Sequence, residues 1–315
     1  MEAAASLFLA VVLFAAVRVL SLFGAPFTLF ASAPLAVLCI RRGETVFLGA
    51  AAVGAVLAGL FMGGPTAGAF LLSVAFPAIL ISRGLAFRWR PEKVVGIAAG
   101  VITVCALVAL EAMLPGGIRP WVGELVTQNI AAYKAAGAPK DMVAMIEGQA
   151  DAYARFMFRI MPMAFMWSAM ALTVAGLLAT RAYFARRPHA AVVLSPLDRW
   201  HLPDNWVWVL ITAGVLALVP VGTVQVVGGN VLGVMALAYA FQGWAVLAHQ
   251  FEARRVHQAV RIAVYLILLL WPVFVLLLVA VGVFDVWTDV RRVRGGGAPP
   301  TENPDGPPPS GPSPD

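Results

Sequence analysis

Arg18, Glu111, Arg159, Gln225 and Asn230 are the residues of this chain best placed to do chemistry, because each lies inside or at the end of a long apolar run. A charge held in lipid costs about 2.5–3.5 kcal/mol on insertion scales, so such residues point to a ligand, an ion pair or a snorkelling side chain. Brought to one end of a helix bundle, Arg18, Glu111, Arg159 and Asn230 would form a substrate-binding pocket for a charged or polar small molecule. Glu111 could equally pair with Arg18 or Arg159 as a structural ion pair. Gln242, in the middle of FQGWAV, is expected to hydrogen-bond a neighbouring helix, and Asp285 is grouped with it as a structural polar residue. Met157, Met161, Met163, Met166 and Met170 make a flexible apolar face that either fills a core or forms an adaptable ligand wall.

Catalytic and metal chemistry finds little support. GxxxxGK[ST], HExxH and GxSxG are all missing from the sequence, and its Cys and His residues have no zinc spacing. His189, His201, His249 and His257 lie in or beside loops that also carry arginines, where interfacial solvation explains them better than proton relay or ligation. Asp198 and His201 are three apart, too common a pairing to carry meaning alone. Cys39 and Cys105 both fall in apolar runs and read as buried free thiols. The expectation is a chain that is not an enzyme and has no cofactor and no metal.

The elements that must position these residues follow from composition. Of 315 residues, 61% are hydrophobic and 12% charged, a balance that leaves too little polar surface for a soluble domain. The apolar runs are continuous, without the alternation of barrel strands, so an all-α transmembrane bundle is expected. Eight or nine spans are predicted, at roughly 3–23, 26–40, 44–62, 66–86, 93–114, 157–180, 206–222, 230–249 and 262–284. The second is short for a crossing and could be re-entrant. The first begins with Glu2, lacks a basic leader region and is read as an uncleaved span. Residues 1–290 thus form one membrane domain with an amphipathic insertion at 115–156. Residues 291–315, rich in Pro and Gly, form a tail expected to be disordered.

Every second gap is basic: Arg41 and Arg42; Arg83, Arg88, Arg90 and Lys93; Arg181, Arg186, Arg187 and Arg199; Arg254, Arg255 and Arg261. The positive-inside rule places these gaps on the cytoplasmic side, and the polar candidates at the outer end. Arg291, Arg292 and Arg294 break the pattern unless the last run does not cross simply, as a break at Trp271-Pro272 would allow. The formal net charge of +6 is spread over these short gaps, so orientation explains it better than nucleic acid.

The 115–156 gap is long and nearly charge-balanced. Val122, Leu125, Val126, Asn129, Ile130 and Tyr133 fall on one helical stripe. Gly137-Ala138-Pro139 then breaks the chain, and Met142, Met145, Ile146, Gln149 and Tyr153 start a second stripe. Two helices lying on the bilayer or on the bundle are expected, with a moving lid as the alternative. Ala50, Gly54 and Ala58, beside Ala51, Ala55 and Gly59, form a small-residue face suited to internal packing or to a partner helix; Gly96 and Gly100 form a second. Trp121, Trp200, Trp206 and Trp208 fit interfacial belts.

LPDNWVWVL, NVLGVMALAYAFQGWAVLAHQ and GVFDVWTDVRRV, the last with Asp285, Trp287, Asp289 and Arg291, resemble the YybS-like family of predicted bacterial membrane proteins, which has no established activity. The first two thirds match only in span layout and insertion. That family is distantly similar to the S components of energy-coupling-factor vitamin transporters. The resemblance implies an S-component-like bundle, with a ligand pocket near the outer face and small-residue faces on a transmembrane coupling subunit. The chain has more spans than a simple S component and no vitamin-specific motif. The resulting expectation is a multi-pass protein of the cytoplasmic membrane (a bacterial inner membrane), in contact with the lipid bilayer. It would be a small-molecule transport component without its own ATPase, docked to a coupling partner through the Ala50–Gly59 face. The alternative is a non-catalytic membrane scaffold for envelope or division proteins; an enzyme acting on a lipid-linked substrate is a third reading, weakened by the missing acid–base constellation.

Overall fold

The apolar runs become helices because a chain surrounded by lipid must satisfy each backbone polar group within its own segment. The computed structural model describes residues 2–20, 24–187, 189, 200–270 and 272–288, and its described elements are helical. Helix α1 (Glu2–Leu20) is followed by a short α2 (Ala25–Thr28) and by α3 (Ser32–Arg42), then α4 (Glu44–Met62). Helices α5 (Pro65–Phe70) and α6 (Phe76–Ala86) are joined through one turn of π-helix, Leu71–Ala75, into a continuous rod. Next come α7 (Pro91–Met113), the insertion helices α8 (Ile118–Ala135) and α9 (Lys140–Gly148), and the long α10 (Ala150–Arg186). The described chain closes with α11 (Trp206–Leu218), α12 (Gly222–Ala253), α13 (Gln258–Leu270) and α14 (Pro272–Thr288).

Six helices are long and apolar enough to cross a membrane among the described residues: α1, α4, the α5–α6 rod, α7, α10 and α12. Their outward faces are correspondingly apolar, with Phe8, Leu60, Phe61 and Leu218 each more than 70% exposed. In water such a surface would be a liability, whereas in hydrocarbon it is neutral. Two cores lie side by side. One joins α1, α3, α4, α5 and α6 around Leu35, Phe47, Phe70 and Ile81; the other joins α7, α10, α12 and α14 around Val95, Met170 and Tyr239. Helix α10 serves both, with Leu177 in the first and Ala169 and Met170 in the second. Helices α12 and α14 meet at backbone distance. A Cβ on Gly282 would lie 2.0 Å from the Tyr239 carbonyl oxygen, and one on Gly243 would lie 2.0 Å from that of Leu278.

Basic residues from separate gaps converge on one end. Glu2 pairs with Arg41 at 3.1 Å and Arg42 at 2.7 Å, and Glu44 pairs with Arg83 at 2.9 Å. Arg41 also donates to the Tyr183 hydroxyl at 3.0 Å, and Arg88 and Arg181 line one small crevice. Because α3 ends beside the start of α1, the 25–42 segment runs back along the length of α1. Residues 160–180 of α10 carry no charge. At 1.5 Å per residue they separate Arg159 from Arg181 by about 33 Å, close to the ~30 Å hydrocarbon core of a bilayer.

Two of the nine anticipated spans take a different form. The 26–40 run is divided between α2 and α3, and α11 has only 13 residues. The 262–284 run falls in α13 and α14, and the break anticipated at Trp271-Pro272 lies outside the described residues. The Ala50–Gly59 face, read as a surface for a coupling partner, is largely occupied within the chain. Ala50, Ala51, Gly54, Ala55 and Ala58 are buried, and a Cβ on Gly54 would lie 2.6 Å from the Phe70 ring. Gly96 and Gly100, by contrast, face open space. Cys39 is buried, whereas Cys105 is exposed on α7 and not buried as its apolar run implied. Asp198, Arg199, Trp271, Asp289, Arg291, Arg292, Arg294 and the 291–315 tail lie outside the described residues.

Candidate functional site

The end of the bundle opposite the converging arginines is organised by a proline. Pro162 inside α10 cannot donate to the residue one turn back and crowds that carbonyl, which opens the helix there. Asn230, on α12, is inserted at this opening. Its Oδ1 accepts from the Met163 N–H at 2.9 Å, and its Nδ2 donates to the Arg159 carbonyl at 2.7 Å and to its own helix at Val226. Met163 N–H and Arg159 C=O are the pair that regular helix bonding would join, so one carboxamide serves both groups at once. Gly233 admits the same contact, since a Cβ there would lie 1.9 Å from the Met163 sulfur, and Trp167 donates to the Gly233 carbonyl at 2.9 Å.

Above this crossing lies a cavity of about 950 Å³ between α7, α8, α10 and the start of α12. Its walls are Leu107, Phe158, Met161 and Val226, and its polar groups are Arg119, Arg155, Arg159, Asp151, Glu111 and Thr223. Asp151, Arg155 and Arg159 are spaced four apart, so α10 presents all three along one stripe. Glu111 is partly committed elsewhere, because its Oε2 accepts the Ile118 N–H at 2.9 Å and thereby caps α8. Gly117 makes room for that carboxylate, since a Cβ there would lie 2.5 Å from Glu111 Oε1. None of the three arginines makes an ion pair among the described residues. Three guanidinium groups over two carboxylates, one of them capping a helix, leave a site that favours an anion.

Helices α8 and α9 fold back as a hairpin against α10, and the first turn of α8, with Ile118 and Arg119, lines one side of this cavity. Val126, Ile130 and Val143 are buried together against Ala150 and Ala154 of α10, and Lys134 pairs with Glu147 across the hairpin. Buried positions on α8 are Ile118, Val122, Val126 and Ile130, and within the anticipated stripe Leu125 and Tyr133 are exposed. On α9 the inward residue is Val143, while Met142 and Met145 face out.

Of the four residues proposed as substrate contacts, Glu111 and Arg159 line the cavity, and Asn230 sits below it, fixing the α10 backbone at Arg159. Arg18 is at the same end of the bundle but in a separate crevice of about 260 Å³ with Thr28, Thr66 and Ser73. Gln225 is exposed and does not line the cavity. Gln242 is fully buried, accepting the Leu202 N–H at 3.1 Å and donating to Asp285 at 3.1 Å, so it ties α12 to α14 and to the segment before α11. This tie is about 18 Å along α12 from Asn230, on the arginine-rich side. The anticipated Met face is split: Met161 lines the cavity, Met163 meets Gly233, Met166 accepts a long 3.7 Å contact from Thr103, and Met170 is buried.

Arg119, Arg155 and Asp151 are cavity residues that no apolar background singles out. All three fall in the nearly charge-balanced 115–156 gap, although the four-residue spacing of Asp151, Arg155 and Arg159 is visible in the sequence. Among the described residues, no group of three or more His, Cys, Asp or Glu side chains is placed to hold a metal ion. Neither a curated protein nor a solved structure matches the chain. A family model does match, over residues 8–286, and by that match the chain belongs to the family described as predicted membrane protein (DUF2232).

Proposed function

We propose that this integral membrane protein is the substrate-binding component of a small-molecule transport system, taking an anionic ligand into the cavity between α7, α8, α10 and α12. The observation that carries this reading is the trio Arg119, Arg155 and Arg159, which make no ion pair among the described residues, around a space of about 950 Å³. Burying an anion's charge needs such pre-placed donors, and the apolar wall of Leu107, Phe158 and Val226 would hold the rest of the ligand. The chain supplies no chemistry in this reading and would depend on another protein for energy. The arginine-rich end would be cytoplasmic, so the cavity would open outward from the cytoplasmic membrane. The α2–α3 segment and α11 would cross as well, giving eight crossings before α13. The likeness to YybS-like proteins and, more distantly, to S components of energy-coupling-factor transporters agrees with a ligand pocket near the outer face. Coupling through the Ala50–Gly59 face is disfavoured because α1 and the α5–α6 rod already cover most of it.

Native mass spectrometry of the purified protein tests the reading. A retained anionic molecule is expected on the wild type and should be lost in the Arg155→Gln, Arg159→Gln double variant, with thermal stability unchanged. Each charge-assisted contact is worth about 1.5–3 kcal/mol, so each single variant should bind at least tenfold more weakly. The binding proposal fails if the wild type and double variant retain the same molecules and respond alike to a panel of small anions. Copurification with envelope or division proteins, in place of membrane ATPases, would favour the scaffold.

A further inference from the structure

The arginine-rich end carries a second cavity, of about 460 Å³, between α1, α3 and α10. Its body is apolar, walled by Leu9, Leu13, Phe30, Pro34, Val37 and Ala179. Its rim is charged: Arg41, Arg42 and Arg187 gather around Glu2 and Tyr183. Arg41 and Arg42 share the Glu2 carboxylate, at 3.1 and 2.7 Å. Arg187 stacks over the Tyr183 ring, 5.3 Å from its centroid, and donates to its hydroxyl at 3.4 Å. Three guanidinium groups face one carboxylate, so the rim is cationic, while the lining beneath it carries no charged side chain among the described residues.

We infer that this crevice binds an anionic phospholipid, with its phosphate at Arg41, Arg42 and Arg187 and one acyl chain lying along α1 and α3. The dimensions fit that occupant. From Glu2 to Leu13 the crevice follows α1 for about 17 Å, close to half of the ~30 Å hydrocarbon core and therefore to the depth of one leaflet. A soluble anion would use only the rim and leave the apolar wall unfilled. A neutral lipid would fill the wall but leave the guanidinium excess uncompensated. Guanidinium groups offer phosphate paired N–H donors, and each basic residue near an anionic leaflet contributes about fivefold in affinity.

The test uses the full chain in detergent, titrated with phosphatidylglycerol or with phosphatidylcholine of the same acyl composition, and read by lipid retention in native mass spectrometry. Wild type is expected to retain phosphatidylglycerol at least tenfold more strongly. Arg187→Gln should lower that preference about fivefold, and Glu2→Gln, which frees two guanidinium groups, should raise it by a similar factor. Both positions are exposed, so neither change should unfold the protein, which thermal unfolding without lipid would verify. Equal retention of the two lipids, a preference unaltered in both variants, or displacement of phosphatidylglycerol by inorganic phosphate alone would each overturn the assignment. Because the crevice lies at the opposite end from the α7–α12 cavity, either proposal can fail without the other.

Discussion

Asn230 and Arg159 lie next to each other in the structure yet should behave differently when replaced. Asn230 makes three hydrogen bonds around the Pro162 opening, two of them to backbone groups of α10. Asn230→Ala leaves the Met163 N–H and the Arg159 carbonyl in search of new partners. Interhelical hydrogen bonds in membranes average about 0.6 kcal/mol and reach about 1.7 kcal/mol, so a loss of about 1–2 kcal/mol of stability is expected. Arg159→Gln removes an exposed charge that makes no ion pair among the described residues and should leave stability within about 0.5 kcal/mol. Thermal unfolding in detergent separates the two, and a loss for Arg159→Gln equal to that for Asn230→Ala would show that the guanidinium is structural. Sequence alone placed both residues at one end of the bundle, because each stands out against an apolar background. It could not divide them into a backbone support and a cavity group, since that depends on which helix faces the gap opened by Pro162.

The α8–α9 hairpin is the element that distinguishes this bundle from a plain set of spans. It is held by a small core of its own, Val126, Ile130 and Val143 against Ala150 and Ala154, together with the Lys134–Glu147 pair. A carboxylate buried in that apolar seam would be desolvated, so Val126→Asp, with apolar Val122 and Ile130 one turn away on either side, should detach the hairpin from α10 while the two transmembrane cores persist. Hydrogen exchange should then rise across residues 118–148 and stay unchanged in α4 and α7; uniform loss of protection would mean the hairpin is integral to the main fold. The amphipathic character of both helices and the break at Gly137-Ala138-Pro139 were legible in the sequence. Which edge of each stripe meets protein was not, because Leu125 and Met145 are as apolar as Val126 and Val143 but lie on the exposed side. The same ambiguity covers Ala50–Gly59: small side chains call for a close neighbour, and only the fold identifies that neighbour as Phe70 and Leu7 of this chain.

At the scale of the whole molecule the two ends differ in how they treat charge, and that difference makes orientation testable. One end neutralises part of its arginine excess with Glu2 and Glu44, and the other holds Arg119, Arg155 and Arg159 around an open cavity. The uncharged stretch 160–180 fixes the spacing between them at about one hydrocarbon thickness. On the proposed orientation, arginine density in the short gaps puts the Arg41, Arg83 and Arg181 end on the cytoplasmic side. Single cysteines in a Cys39→Ser, Cys105→Ser background should therefore divide by end. Gln128→Cys, exposed on α8, should react with a membrane-impermeant maleimide in intact cells or spheroplasts. Arg90→Cys, before α7, and Arg254→Cys, after α12, should react only once the membrane is opened. Labelling of Arg254→Cys from outside would mean that α11 and α12 do not form a crossing pair. Labelling of both Arg90→Cys and Arg254→Cys from outside, with Gln128→Cys protected, would invert the molecule and turn the anion cavity toward the cytoplasm. In that case the arginine trio would have to select its ligand from inside the cell, and a role in uptake would give way to one in export or in sensing.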